Sequence, residues 1–216
     1  MAFSSVLSRL MASFTPLAVC GSVVFEAANL PNNEAIIENE GFKNIVIANR
    51  LSVNNNLDLP CPWVDASELS DFRSTTHIVR FLETVVHELL GHGSGNLLAE
   101  TAPGVYNFKN RNPPINPLTN APGNLHYRFG EDWGSVFGKL AGTVEECRAI
   151  LISQYLMDSK QLLEIFGYTD TSAITADELL YMTYLNIGVD GLQALQHYSN
   201  EGQAWGQVHH QVWFLH

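Results

Sequence analysis

His87-Glu88-Leu89-Leu90-Gly91-His92 places two imidazoles and a carboxylate within six residues. That set of side chains suits a hydrolytic zinc site, where imidazole nitrogens hold the ion and a nearby carboxylate handles the proton of a bound water. The spacing is unusual. The common metalloprotease helix carries its histidines at i and i+4, on one face. Here they stand at i and i+5. At about 100° per residue that is roughly 140° apart on a regular α-helix, too far round to grip one ion. The backbone must therefore hold one extra residue locally, as a π-bulge does, and Gly91 is where it deforms most easily. Without that deformation the pair reads as two unrelated surface histidines.

Zinc also needs a third protein ligand and an open position for water. Glu145 and Glu146 supply candidates in the middle of an otherwise apolar helical stretch. Adjacent acids there are costly unless they meet a cation or hydrogen-bond donors. Neighbouring helix positions point about 100° apart, so one can bind the metal while the other reaches a ligand histidine's second N–H. The alternative is a solvated helix edge. His209 and His210 offer a further ligand or an oxyanion donor, or packing against Trp205, Trp213 and Phe214. His77, His126, His197 and His216 stand in no partner pattern.

The elements that must position these groups show in the periodicity. Asn44 to Asn49 has strand composition. Asparagines and prolines between 54 and 65 mark a boundary near 60. Ile78, Phe81, Leu82, Val85, Val86 and Leu89 form one stripe, predicting an amphipathic helix over 75–90 that leads into the motif. Residues 101–132 hold five of the nine prolines and predict a long loop. A second helix is expected over 133–157 and a short one over 160–166. A fourth starts at Thr175, where Thr175 and Glu178 fit a capping box, and runs towards Tyr198. A last apolar stretch, 203–215, reaches the end of the sequence without a stop signal, as if cut.

Composition narrows the partners. Among 216 residues, 11 Lys and Arg face 22 Asp and Glu, a net charge of −11. That disfavours nucleic acid and anionic membrane surfaces. Hydrophobic residues, at 46%, suffice for a core, while charged residues, at 15%, are sparse enough to suggest a covered surface. Cys20, Cys61 and Cys147 form no CxxC pair and read as thiols of a reducing compartment. The first 25 residues carry one Arg and no acid before Glu26, a faintly transit-peptide-like pattern for which an ordinary soluble N-terminus is the plainer reading.

HELLGHGSG at 87–95 and EECRA at 145–149 resemble the dipeptidyl peptidase III family of zinc exopeptidases. ANLPN at 28–32, EGFKN at 40–44, YRFGEDW at 127–133, LEIFGY at 163–168 and QVHHQVWF at 207–214 follow in the family's order, so the resemblance runs from about Phe14 to His216. It implies a mainly α-helical zinc lobe over 61–216 and, over 1–60, a partial lower-lobe segment with some β structure. It implies one Zn2+ per chain, held by His87, His92 and Glu146, with Glu145 orienting His92. Glu88 would be the general base and His209 a transition-state stabiliser. Asn29 and Asn32 would hold the N-terminal end of an oligopeptide, from which dipeptides are released by zinc-activated water. A cytoplasmic location and association through an exposed lobe interface complete that expectation. Two departures bear on it. Ile150 stands where the family places a carboxylate that supports the histidine here numbered 87, and Trp213 replaces an arginine. The chain is also several times shorter than a full member. The alternative is thus a weak or inactive zinc-binding fragment serving as a binding module.

Overall fold

The computed structural model describes residues 14–17, 20, 26–30, 36, 40–53, 58, 60–95, 97–123 and 125–215. Near its start lies a three-stranded sheet in the order β1-β3-β2, made of β1 (Phe14–Leu17), β2 (Ala27–Leu30) and β3 (Lys43–Ile47). The central strand β3 is parallel to β1 and antiparallel to β2. Its alternation is imperfect because Val46 and Ile47 are both buried before the chain turns into the short helix α1 (Ala48–Ser52). The strand expected at 44–49 therefore ends two residues early, where that helix begins.

Helix α2 (Leu69–Val86) starts six residues before the predicted position. The hydroxyls of Thr75 and Thr76 bond back to the carbonyls of Asp71 and Phe72, both at 2.6 Å, so this polar run lies inside the helix. Phe72, Val79 and Leu82 of α2 pack with Met157, Leu163, Leu179 and Val189 in one core. Val85 and Val86 join Val46, Leu51, Leu89 and Leu90 in a second. The end of α2 is thereby fixed between the helices and the sheet.

The chain forms two compact units, Met1–Ser94 with Glu145–His216, and Gly95–Val144. In the second unit the predicted loop contains two hairpins: β4 (Glu100–Ala102) with β5 (Val105–Tyr106), and β6 (Ile115–Asn116) with β7 (Ala121–Pro122). The single helix expected over 133–157 is interrupted. Helix α3 (Trp133–Phe137), capped by a reciprocal Asp132–Ser135 pair, gives way to a 3-10 turn at Gly138, whose φ of +53° only glycine adopts readily. The helix resumes as α4 (Ala141–Leu156).

Back in the first unit, α5 (Lys160–Ile165) is capped by Ser159. Helix α6 (Ala176–Ala194) begins at the expected capping box, with Thr175 N donating to Glu178 at 2.7 Å and Glu178 N to Thr175 at 3.2 Å. A hairpin of β8 (Tyr198–Ser199) and β9 (Ala204–Trp205) leads to α7 (Val208–Leu215), which packs on α6. The fold is mainly α-helical. Among the described residues no helix is long and apolar enough to cross a membrane.

Candidate metal centre

At His87 the α2 backbone widens into a π-helical turn, His87–His92. Bonding from i to i+5 brings His92 over His87, as the motif spacing requires. The two rings meet edge to face, with centroids 4.6 Å apart. Gly91 serves this turn in a further way. A Cβ there would lie 2.8–2.9 Å from the carbonyl oxygen, Cα and Cβ of Ala149, so its missing side chain lets the turn touch the α4 backbone.

That contact sets Glu145 and Glu146 against the histidines. Glu146 Oε2 lies 3.3 Å from His87 Nε2, 3.7 Å from His92 Nε2 and 3.1 Å from His209 Nε2. That oxygen is buried and has no hydrogen-bond partner. Burial pushes the Glu146 carboxyl up, but the imidazoles of His209 and His87 outweigh it and hold it below the usual carboxylate range. The Glu146 contact in turn raises His209 against its burial. Burial lowers His87 despite its contact with Glu146.

An oxygen facing several imidazole nitrogens without bonding to them is a place for a cation. Donor atoms bound at about 2.1 Å in a tetrahedron stand about 3.4 Å from one another. The 3.3 and 3.7 Å separations fit that edge, and one ligand atom each from His87, His92 and Glu146 lies within 4.8 Å of the other two. Two imidazoles and a carboxylate at this spacing are a donor set that could hold a metal ion.

Glu88 is 7% exposed and its Oε2 is buried without a hydrogen-bond partner. Burial raises its carboxyl to about 7, a poise at which it can take up and return a proton near neutrality. His92 Nδ1 meets Glu145 Oε1 at 2.9 Å. Burial would raise Glu145, but the bonds from His92 and Arg148 win and bring it to about 2. Burial would lower His92, and Glu145 reverses that too.

Arg148 was not among the site residues expected from the sequence. Its Nε donates to Glu145 Oε2 at 2.9 Å, a second nitrogen to Oε1 at 2.5 Å, and a third to the Ser94 carbonyl at 3.0 Å. A guanidinium thus clamps the carboxylate that orients His92 and ties it to the chain just past the π turn. The i, i+3 spacing of Glu145 and Arg148 was the available signal. Replacing Arg148 with Met is expected to weaken metal binding about 10- to 100-fold, the usual cost of an outer partner. Competition with a chromophoric chelator measures this, and unchanged affinity would remove Arg148 from the account.

Asn29 sits on β2 opposite Asn44 and is 6% exposed. Its Nδ2 donates to Asn44 Oδ1 at 2.7 Å and to the Glu88 carbonyl at 3.1 Å, so it ties the sheet to the π turn. Asn32 lies outside the described residues. Ile150 is 6% exposed and lines one cavity of about 260 Å³ with His87, Glu88, His209 and Trp213. His210 stacks on His197, ring centroids 3.6 Å apart, and so packs within the fold.

The profile of Peptidase family M49 matches residues 10–215. Dipeptidyl peptidase 3 of Rattus norvegicus is 35% identical over 204 residues, covering 94% of this chain and 27% of that protein. Dipeptidyl peptidase 3 of Homo sapiens is 34% identical over 216 residues, with the same coverages of 94% and 27%. Dipeptidyl peptidase 3 of Dictyostelium discoideum is 37% identical over 191 residues, covering 85% and 27%. The chain thus spans about a quarter of the length of the curated relatives it matches. With nearly all of its length covered by that profile, the chain belongs to peptidase family M49.

Proposed function

We propose that this chain is the metal-bearing part of a zinc-dependent dipeptidyl peptidase that hydrolyses the second peptide bond of oligopeptides and releases N-terminal dipeptides. The observation that carries the reading is the convergence of His87, His92 and Glu146 on one point beside a buried, unpartnered Glu88 carboxyl. The name of the relatives, dipeptidyl peptidase 3, supports the dipeptide register. Zinc held by His87, His92 and Glu146 would supply Lewis-acid polarisation of the scissile carbonyl and would lower the pKa of water towards neutrality.

The chain's own residues do the rest. Glu88 takes the proton of the attacking water and delivers it to the leaving amine. His209, whose imidazole is raised by its contact with Glu146, donates to the oxygen on which negative charge develops. Glu145 and Arg148 hold His92 in place. Asn29 and Asn32 receive the peptide's N-terminal end. Both Nδ2 hydrogens of Asn29 are used within the fold, which leaves its Oδ1 to accept from an ammonium group. Residues up to about 60 belong to a lower lobe of the longer protein and those from 61 to its zinc lobe. Exposed Leu151 and Tyr155 on α4 form part of a face for association. The thiols and the acidic surface suit a cytoplasmic protein that handles peptides and neither nucleic acid nor membrane.

The test is dipeptide release from an unmodified oligopeptide. Glu88→Ala is expected to abolish it while zinc stays bound, because Glu88 takes the proton of the attacking water and is not a metal ligand. A second reading, a zinc-holding fragment without turnover, is favoured by the apolar Ile150 beside His87. Wild-type protein that holds zinc and releases no dipeptide would establish that second reading.

A further inference from the structure

The two histidines of the motif are supported unequally. His92 has Glu145 on Nδ1, and Glu145 has Arg148. Among the described residues His87 has one ion-pair or hydrogen-bond partner, Glu146, on the nitrogen that faces the metal position. A ligating histidine almost always donates its other ring N–H to a carboxylate, a carbonyl or a water. Ile150, one turn past Glu146 on α4, is buried, lines the same cavity as His87 and has no acceptor.

Glu83 stands one turn before His87 on α2, and side chains at i and i+4 share a helix face. Glu83, His87 and Ile150 line the same cavity. Glu83 Oε1 is buried and has no hydrogen-bond partner. Its neighbours do not account for it. Arg80, the cation whose charge reaches Glu83, is paired with Asp190. A buried carboxyl oxygen without a partner, one turn from a ligand histidine that lacks an outer acceptor, calls for a donor.

We propose that Glu83 is the positioning residue for His87: its carboxyl oxygen Oε1 accepts the Nδ1–H of His87 when Nε2 holds the metal, supplying from α2 the acceptor that α4 lacks at position 150. This rests on the metal reading above. The shared cavity gives the Glu83 side chain room to reach the ring.

The experiment measures zinc affinity by chelator competition, and thermal unfolding of the metal-free protein, for wild type, Glu83→Leu, Glu83→Gln, Ile150→Glu and the double variant Glu83→Leu/Ile150→Glu. Glu83→Leu is expected to weaken zinc binding about 10- to 100-fold without lowering the metal-free Tm, because Arg80 keeps Asp190. Glu83→Gln, which keeps an oxygen acceptor, loses less, and adding Ile150→Glu restores the affinity that Glu83→Leu lost. The proposal is overturned by a zinc-binding wild type whose affinity Glu83→Leu leaves unchanged. It is equally overturned by a loss that neither Glu83→Gln nor Ile150→Glu recovers. A wild type that binds no zinc overturns the metal reading and this proposal together.

Discussion

Glu146→Ala is expected to take the protein from about one zinc per chain to almost none after dialysis. Glu146 is the acidic member of the donor set, and its Oε2 is the point around which His87, His92 and His209 gather at 3.1–3.7 Å. The loss should exceed the 10- to 100-fold that an outer partner such as Arg148 is worth. Two neutral imidazoles remain, with no anionic ligand to offset the cation's charge. A second effect appears without metal. Contact with Glu146 is the main cause of the raised His209 imidazole, so the variant lowers the His209 titration midpoint, which NMR of the ring protons reads directly. Zinc held as tightly by Glu146→Ala as by wild type would mean that the cluster is not the site.

The second large effect comes from a residue that touches no ligand. Gly91→Ala puts a Cβ within 2.8–2.9 Å of Ala149 backbone and side-chain atoms. Ala149 is fully buried and its backbone is held in α4, so neither partner can yield cheaply. Overpacking of this kind costs about 1–3 kcal/mol, or roughly 2–4 °C in Tm for each kcal/mol in a chain of this size. Metal binding should suffer more than stability, because relief of the clash moves the π turn away from Glu145 and Glu146. Gly188 in α6 is the control. It is also helical, and a Cβ there meets nothing within 4 Å, so Gly188→Ala should stabilise by about 0.5–1 kcal/mol. Equal effects of the two substitutions would show that the Gly91–Ala149 contact does not hold the centre together.

The centre was readable where chemistry and geometry constrain each other. An i, i+5 histidine pair cannot meet on an α-helix, so the motif itself required the π turn that the structure contains. Likewise two acids in an apolar helix needed partners, and Glu145 and Glu146 have them in His92 and in the ring of imidazoles. Thr175 and Glu178 announced α6 because a capping box is local. What stayed hidden depends on distant contacts or on single backbone angles. The break at Gly138 turns on one positive φ inside an apolar run that otherwise reads as continuous helix. Arg148 had a local signal in its spacing from Glu145, but its reach to the Ser94 carbonyl crosses 54 positions. Asn29 was placed by resemblance, while its bonds to Asn44 and the Glu88 carbonyl follow from strand register.

Zinc per chain, measured by elemental analysis on purified and dialysed protein, tests the central claim most directly. A value near one is expected, since the π turn and α4 already bring His87, His92 and Glu146 to the spacing of a tetrahedral site. A value near zero would mean that the donors stand together without forming a site, and would contradict the account.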